Sequence, residues 1–140
     1  MKAVVFDASY SASWFISDER SPEAERVFER VLRGRLTGWV PGLWFYEIAN
    51  ALVQACNRKR LSGNGVEDAW GVMLALPLEV DQAEVAAMRR VSRLARQFEL
   101  SAYDAAYLEL ADRLQVPLLT NDRELMNACR AQHVATHPDL

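Results

Sequence analysis

Short apolar runs alternate along this chain with longer segments in which apolar residues recur at helical spacing. The first run, Ala3–Phe6, is apolar throughout, as a strand buried on both faces requires. Further strands are predicted over residues 36–40, 78–80, 117–120 and 134–136. Helices are predicted over residues 8–16, 22–34, 45–60, 65–76, 81–98, 101–114 and from 121 onward. Asp81 with Glu84, and Asn121 with Glu124, are predicted to cap the starts of the fifth and the last of these helices. Strands that alternate with helices indicate an α/β fold, with a parallel sheet covered by helices on both faces.

Length and composition favour one domain spanning residues 1–140, since 51% hydrophobic residues are enough for a real core. The net charge of −3 does not exclude a nucleic-acid partner, because an acidic protein can still carry a local basic rim. Cys56 and Cys129 form no CxxC pair and predict reduced thiols in the cytoplasm. The chain shows no signal-peptide pattern, and no apolar run approaches the ~20 residues that span a bilayer.

Four carboxylates occupy positions that suit a catalytic or metal-binding role. Asp7 follows the first apolar run, and Asp122 follows the run at 118–120, so both are expected at carboxyl ends of parallel strands. Glu47 and Asp104 lie near the starts of two predicted helices. No plausible Cys or His ligand set accompanies them, and an all-oxygen acidic cluster suits Mg²⁺ or Mn²⁺. The pattern therefore indicates metal-assisted phosphoryl chemistry.

Each acid also has a purely structural explanation. Asp7 and Asp122 suit helix starts, Glu47 suits a solvated helix face, and Asp104 occupies the N3 position of a capping box that begins at Ser101. Taken together, however, four acids converging on one crevice would repel one another. A divalent cation offsets that repulsion, which favours the metal-site interpretation.

Small polar residues accompany the acids. Ser9 and Thr120 place hydroxyls beside the first and last acids, where they can hydrogen-bond a carboxylate. Asn50 lies three residues after Glu47 and shares its helix face. We interpret these three residues as supporting polar groups of the site.

Two basic clusters are candidates for RNA binding, because arginine pairs with phosphate in a bidentate geometry. The first ends the helix that carries Glu47, and the second lies on one face of the helix predicted over 81–98; together they comprise Arg58, Lys59, Arg60, Arg89, Arg93 and Arg96. Ordinary solvated helix faces look the same in sequence, so both interpretations stay open here.

Five stretches of the chain, in order, resemble the PIN-domain nucleases, and within them the VapC-type toxins of toxin–antitoxin pairs. These stretches are residues 5–9, 41–52, 58–62, 100–108 and 118–125, so the resemblance extends from residue 5 to residue 125. Asp-x-Ser alone would be weak. The Glu-x-x-Asn helix, the Tyr-Asp-Ala-x-Tyr-Leu helix and Thr-x-Asp together are specific.

The resemblance implies a three-layer α/β/α sandwich with a parallel five-stranded sheet of order 3-2-1-4-5. It implies an endoribonuclease that needs one or two Mg²⁺ or Mn²⁺ ions, with a catalytic and metal-binding set at Asp7, Glu47, Asp104 and Asp122. It also implies a homodimer, and a VapB-like antitoxin whose terminal segment occupies a cleft beside the active site. The target RNA, the number of metals and the dimer surface stay open.

Several rival interpretations are weaker. A receiver domain or a haloacid-dehalogenase-like phosphatase needs a lysine late in the chain, whereas this chain has only Lys2 and Lys59. A flap-type DNA nuclease usually carries extra helical elements, for which 140 residues leave no room. The alternative from another class is a PIN-fold module that binds RNA or a protein partner without cleavage.

Overall fold

The structure is a computed structural model that describes residues 2–140. Its strands are β1 (Ala3–Phe6), β2 (Thr37–Pro41), β3 (Glu79–Asp81) and β4 (Leu118–Leu119). Its α-helices are α1 (Ala8–Ser11), α2 (Pro22–Leu32), α3 (Leu43–Asn57), α4 (Gly63–Ala75), α5 (Val85–Phe98), α6 (Ala102–Leu114) and α7 (Arg123–Ala131). Two 3₁₀ turns, Ala12–Trp14 and Ser17–Glu19, connect α1 to α2.

The strands form one parallel sheet of order β3-β2-β1-β4. Val5 at the centre lies opposite Trp39 of β2 and Leu118 of β4. Parallel neighbours need crossover connections, and helices supply them here. The predicted α/β/α sandwich is therefore confirmed.

The fifth strand predicted over residues 134–136 is wrong for the part of the chain that the structure describes, whose sheet has four strands. This segment still runs beside β4, because the Leu118 N–H donates to the Ala135 carbonyl at 2.9 Å. One such bond does not make a ladder, which needs repeated exchange between two extended strands.

Three helix starts and ends also differ from the sequence-based prediction. The first helix ends at Ser11 and tightens into the 3₁₀ turn, well before residue 16. The capping box predicted at Asp81 is wrong, since Asp81 ends β3 and forms an ion pair with Arg113 at 2.8 Å. The cap of α7 is Asp122, whose carboxylate accepts the Leu125 N–H, where Asn121 was predicted.

The core surrounds β1 and β4, whose residues from Val4 to Phe6 and from Leu118 to Leu119 are at most 1% exposed. The helix α6 packs across the sheet and is buried from Ala105 to Ala111. One buried acid, Glu109, forms ion pairs with Arg90 of α5 and Arg113 of α6. Among residues 2–140, no helix is long and apolar enough to cross a membrane.

Candidate active site

Asp7 lies directly after β1, at the carboxyl edge of the sheet, and is only 4% exposed. One carboxylate oxygen accepts the Tyr10 N–H at 2.9 Å and the Ser9 hydroxyl at 2.7 Å. The Thr120 hydroxyl donates to the other oxygen. Asp7 thus caps α1 and is fixed in one orientation by three donors from two elements.

Burial of Asp7 disfavours the ionised form of its carboxyl group. Desolvation raises the pKa of its carboxyl to about 6, against the lowering effect of the bonds from Thr120, Tyr10 and Ser9. The negative charge of Asp104 raises this pKa further. A nearby cation favours the ionised form of a carboxylate. It therefore stabilises a buried carboxylate such as Asp7 more than an exposed one, because water does not already stabilise the buried charge.

The connection from β4 to α7 brings the last acid to the same edge. The Thr120 hydroxyl accepts a hydrogen bond from the Asp122 N–H at 3.0 Å and donates one to the Asp7 carboxylate. The Asn121 N–H donates to the Ser9 hydroxyl at 3.1 Å, and the Asn121 amide donates to the Ser9 carbonyl. Asp122 itself caps α7 through the Leu125 N–H at 2.8 Å. Ser9 and Thr120 therefore join the β1–α1 and β4–α7 connections.

Glu47 lies one turn into α3, where it is half-buried. The Tyr107 hydroxyl of α6 donates to its carboxylate at 2.6 Å. Desolvation raises the pKa of Glu47, the Tyr107 bond lowers it, and the charge of Asp104 raises it again. Burial and the adjacent carboxylate also raise the pKa of Tyr107 above its usual range, so Tyr107 acts as a hydrogen-bond donor here.

A hydrogen-bonded chain fixes α3 relative to Asp7. The buried Trp44 indole donates to the Ser11 hydroxyl at 2.8 Å, and that hydroxyl donates to the Asp7 carbonyl at 2.7 Å. Trp44 and Ser11 are both 0% exposed. Because these bonds are shielded from water, the start of α3 and the end of β1 hold a defined separation, which sets where Glu47 lies.

Asp104 couples the four acids electrostatically. It lies in the first turn of α6, which is capped by the Ser101 hydroxyl at 3.1 Å from the Asp104 N–H. Burial raises the pKa of Asp104, and the charges of Asp122 and then Glu124 raise it further. Since its own charge raises the pKa of both Asp7 and Glu47, all four predicted acids belong to one electrostatic group.

The acids converge without forming a closed coordination shell. Within residues 2–140, no three His, Cys, Asp or Glu side chains stand in an arrangement that encloses a metal ion. Three of the acids are instead engaged by protein donors: Asp7 by its hydroxyl and N–H partners, Glu47 by Tyr107 and Asp122 by its helix cap.

A cleft of about 630 Å³ is lined by one of the four acids, Glu47, and by chain neighbours of Asp7 and Asp122, whereas Asp7, Asp104 and Asp122 themselves do not line it. Its lining includes Ser9, Glu47, Asn50 and Asn121, together with two of the predicted basic residues, Arg58 and Arg60. Lys59 is exposed but does not line it. Arg60 is engaged elsewhere, since its guanidinium pairs with Asp18 at 2.7 Å and with Glu19 at 2.9 Å.

The second basic cluster lies outside this cleft. Arg89, Arg93 and Arg96 are exposed residues of α5 and are not among the residues that line the cleft. Arg93 instead borders a separate depression of about 370 Å³ beside Glu109 and Arg113. A role in RNA binding for these arginines stays a prediction.

Two polar residues at the cluster were not singled out from sequence. Tyr107 falls in the stretch 100–108, but its position among apolar residues of α6 indicates a core side chain, and nothing local indicates its bond to Glu47. Asn121 was interpreted as a helix cap. In the structure it joins the β4–α7 connection to Ser9 and lines the cleft.

Comparison with known proteins identifies the class. Residues 4–131 match the family model of the PIN domain. The chain is 35% identical over 129 residues to Ribonuclease VapC3 of Pyrobaculum aerophilum, covering 89% of this chain and 92% of that protein. The crystal structure of PAE2754 from Pyrobaculum aerophilum has the same fold, with a TM-score of 0.65 at 23% identity over 91% of this chain and 86% of that chain. This chain belongs to the PIN-domain family, with a VapC-type relative, and the resemblance seen in the sequence is confirmed.

Proposed function

We propose that this protein is a metal-dependent endoribonuclease that acts as the toxin of a toxin–antitoxin pair. The observation that carries the proposal is geometric: Asp7 and Asp122 follow β1 and β4 and share the Thr120 hydroxyl at the carboxyl edge of the sheet. Asp104 lies close enough to influence Asp7 and Glu47 electrostatically. Parallel α/β sheets bind their ligands at this edge. The similarity to a protein named Ribonuclease VapC3 supports the ribonuclease assignment over other phosphoryl chemistry.

The chemistry of the donor set fits a hard divalent cation. All four candidate ligands are carboxylates, and their charges disfavour one another's ionised forms. We propose that Asp7, Asp104 and Asp122 hold one or two Mg²⁺ or Mn²⁺ ions, with Glu47 as a further ligand or as the group that orients the attacking water. A bound ion of this kind activates water and stabilises the leaving oxygen of a phosphodiester.

The protein's own groups would do the positioning. Asp7 is held by Ser9, Tyr10 and Thr120, so its carboxylate meets a ligand without losing side-chain freedom. Tyr107 holds one oxygen of Glu47, and the other accepts no hydrogen bond from the described residues. That second oxygen is the proposed acceptor for a proton of the attacking water.

The remaining properties of the proposal concern the whole protein. Residues 1–140 are proposed to be a single nuclease domain that functions as a homodimer in the cytoplasm. Its partners are proposed to be an RNA substrate and a VapB-like antitoxin protein. The supporting polar residues of the site are Ser9, Asn50 and Thr120.

A cleavage assay tests the proposal. Purified protein, freed of any co-purified partner, is incubated with total cellular RNA and Mn²⁺, with and without EDTA. We expect discrete products in Mn²⁺ alone, and we expect the Asp104→Asn variant to keep its fold and lose cleavage. The matched control is Asp68→Asn, an exposed acid of α4 outside the cluster, which should cleave like the unaltered protein.

The outcomes separate the enzyme from the binding module. Cleavage that persists in EDTA, or in Asp104→Asn, would contradict the metal site. A folded protein that binds RNA with Mn²⁺ but leaves it intact would favour a PIN-fold module that binds without cleavage. Mapping the ends of any products identifies the RNA and the bond that is cut.

A further inference from the structure

A row of polar side chains leads away from Glu47 along one face of α3. Glu47, Asn50, Gln54 and Arg58 follow one another at intervals of three, four and four residues, and all four line the cleft of about 630 Å³. Such intervals place residues above one another on a helix. We call Asn50, Gln54 and Arg58 the α3 stripe; from Glu47 to Arg58 the row is ~16 Å long at the rise of an α-helix.

The cleft beside the stripe exists because small residues form its walls. Ala51 and Ala55 of α3, Ala8 of α1 and Ala12 of the following 3₁₀ turn all line it. Alanine fills little space beyond its Cβ, so α1 and α3 pack against each other without closing the groove. The stripe therefore borders an open channel that begins at Glu47.

The side chains of the α3 stripe are free to bind a ligand. Asn50, Gln54 and Arg58 make no side-chain hydrogen bond or ion pair with the described residues. Arg60 differs, because Asp18 and Glu19 occupy its guanidinium through three hydrogen bonds. Of the two arginines that line the cleft, Arg58 is thus the one available to an anion.

We propose that the α3 stripe binds the single strand of RNA that flanks the cleaved phosphodiester. Arg58 would contact a backbone phosphate, and Gln54 and Asn50 would contact phosphate, ribose hydroxyls or base edges nearer the acids. This inference rests on the proposed nuclease function. It adds a binding site for the RNA strand along α3, and it assigns the phosphate contact to Arg58 rather than to Arg60.

The polar and charged groups of this channel favour a nucleic-acid strand over a protein segment. Besides its apolar walls and Glu19, its lining offers the Ser9 hydroxyl, amide side chains and, at the far end, the Arg58 guanidinium, which match phosphate and sugar oxygens. The row of ~16 Å reaches more than one nucleotide, since a stacked strand advances ~3.4 Å per nucleotide. The acids alone would repel a polyanion, and Arg58 supplies a positive charge at the far end.

Fluorescence anisotropy tests the path with two labelled oligouridylates of about 4 and about 12 nucleotides, lengths that bracket a typical single-strand site. All proteins carry Asp104→Asn and are measured in the same Mn²⁺ buffer, so that binding is measured without cleavage. We expect Arg58→Ala to weaken binding of the longer strand about tenfold and to reduce the salt slope by ~0.7, the value of one phosphate contact on a single strand. We expect Gln54→Ala to weaken binding severalfold with the salt slope unchanged.

The matched control is Arg33→Ala, which removes the same charge from an exposed position at the end of α2, outside the cleft. It should leave the affinity and the salt slope unchanged. Arg60→Ala should have less effect than Arg58→Ala. The shorter strand should lose less affinity than the longer one when Arg58 is removed.

Three results would overturn the inference. These are unchanged binding in Arg58→Ala, an equal loss in Arg33→Ala, and no binding of either strand when Arg58 is intact. Unchanged RNA binding together with weakened binding of a protein partner would assign the stripe to that partner instead. Each of these results is compatible with cleavage by the protein that retains Asp104, so failure of the path is distinct from failure of the nuclease proposal.

Discussion

At the scale of single residues, Asp7 shows that a helix cap and a site residue need not be alternatives. Its carboxylate caps α1 through the Tyr10 N–H and also lies at the sheet edge beside the other acids. Burial at 4% exposure makes its charge costly, and its partners offset only part of that cost. The fold therefore carries a carboxylate that a cation or a proton would stabilise.

The first prediction concerns the pH dependence of stability. The pKa of Asp7 is about 6 when folded and ordinarily 3.8, so the folded state binds more protons between these values and stability falls as pH rises through them. Asp7→Asn cannot ionise. In EDTA we expect its free energy of unfolding to exceed that of the unaltered protein by about 1–3 kcal/mol at about pH 8, with a smaller difference at about pH 5.

Urea denaturation at the two pH values measures this difference. The exposed Asp68→Asn serves as control and should give no pH-dependent gain. An Asp7→Asn variant that is less stable than the unaltered protein at the higher pH would show that the hydrogen bonds to the carboxylate outweigh its desolvation.

A second prediction concerns the bond from Tyr107 to Glu47. Tyr107→Phe removes only the hydroxyl, and its ring, 1% exposed, keeps the packing. Hydrogen bonds to charged groups are worth ~1.5–3 kcal/mol, so a loss of transition-state positioning lowers kcat about tenfold or more. We expect KM for RNA to change little, and the Mn²⁺ concentration for half-maximal activity to rise.

The control is Tyr103→Phe in the same helix, where the side chain is 67% exposed. It should match the unaltered protein in kcat and in its response to Mn²⁺. An unchanged kcat in Tyr107→Phe would mean that Glu47 keeps its orientation without this bond.

Sequence predicted the four acids and their supporting hydroxyls because their signals are local. Asp7 and Asp122 follow apolar runs, and Glu47 and Asp104 lie near helix starts within stretches that resemble the family. Tyr107 could not be predicted in this way, since its partner is 60 residues away and nothing in its own neighbourhood distinguishes it from a core aromatic. The roles of the acids stay predictions until the cleavage assay is done.

At the scale of elements, the contact of β1 with β2 depends on a missing side chain. A Cβ at Gly38 of β2 would approach the Phe6 ring at 2.8 Å and the Leu78 side chain at 3.2 Å. Phe6 is 0% exposed and immediately precedes Asp7, so its ring has little room to move. The close approach at Gly38 therefore supports the position of the acid as well as the core.

Gly38→Ala should consequently destabilise the protein. Overpacking of a core costs ~1–3 kcal/mol, and we expect a loss of that size in chemical denaturation. The matched control is Gly71→Ala in α4, where a Cβ would meet nothing within 4 Å. Removing a helical glycine there should leave stability unchanged or raise it by up to ~1 kcal/mol. Equal stability of the two variants would show that the Phe6 ring yields freely.

Element types were more predictable than their pairings. Apolar runs located β1 and β4, because burial on both faces leaves a continuous pattern. The strand β2 is only partly buried and β3 is largely exposed, so neither depends on such a run. The pattern at 134–136 is similar, but strand formation there depends on its pairing with β4, which is only two residues long and gives it one hydrogen bond. The same limit applies to Asp81, whose capping pattern is overridden by its ion pair with Arg113.

At the scale of the whole molecule, the proposed site exists only when the chain is folded. Its acids follow β1, begin α6, lie in α3 and cap α7, and the bond from Thr120 to Asp7 joins residues 113 apart in sequence. An unfolded chain scatters these carboxylates. A cation that needs several of them at once would therefore bind the folded state and stabilise it.

Thermal unfolding in Mn²⁺ and in EDTA tests this linkage without measuring activity. At a Mn²⁺ concentration about 100 times its Kd, the folded state should gain ~2.7 kcal/mol, which raises the Tm by several degrees. Asp104→Asn should lose most of that rise, because Asp104 is the acid whose negative charge raises the pKa of both Asp7 and Glu47. Asp68→Asn should keep it. An equal rise in all three proteins would place the ion elsewhere on the surface, and no rise in any would contradict the metal site altogether.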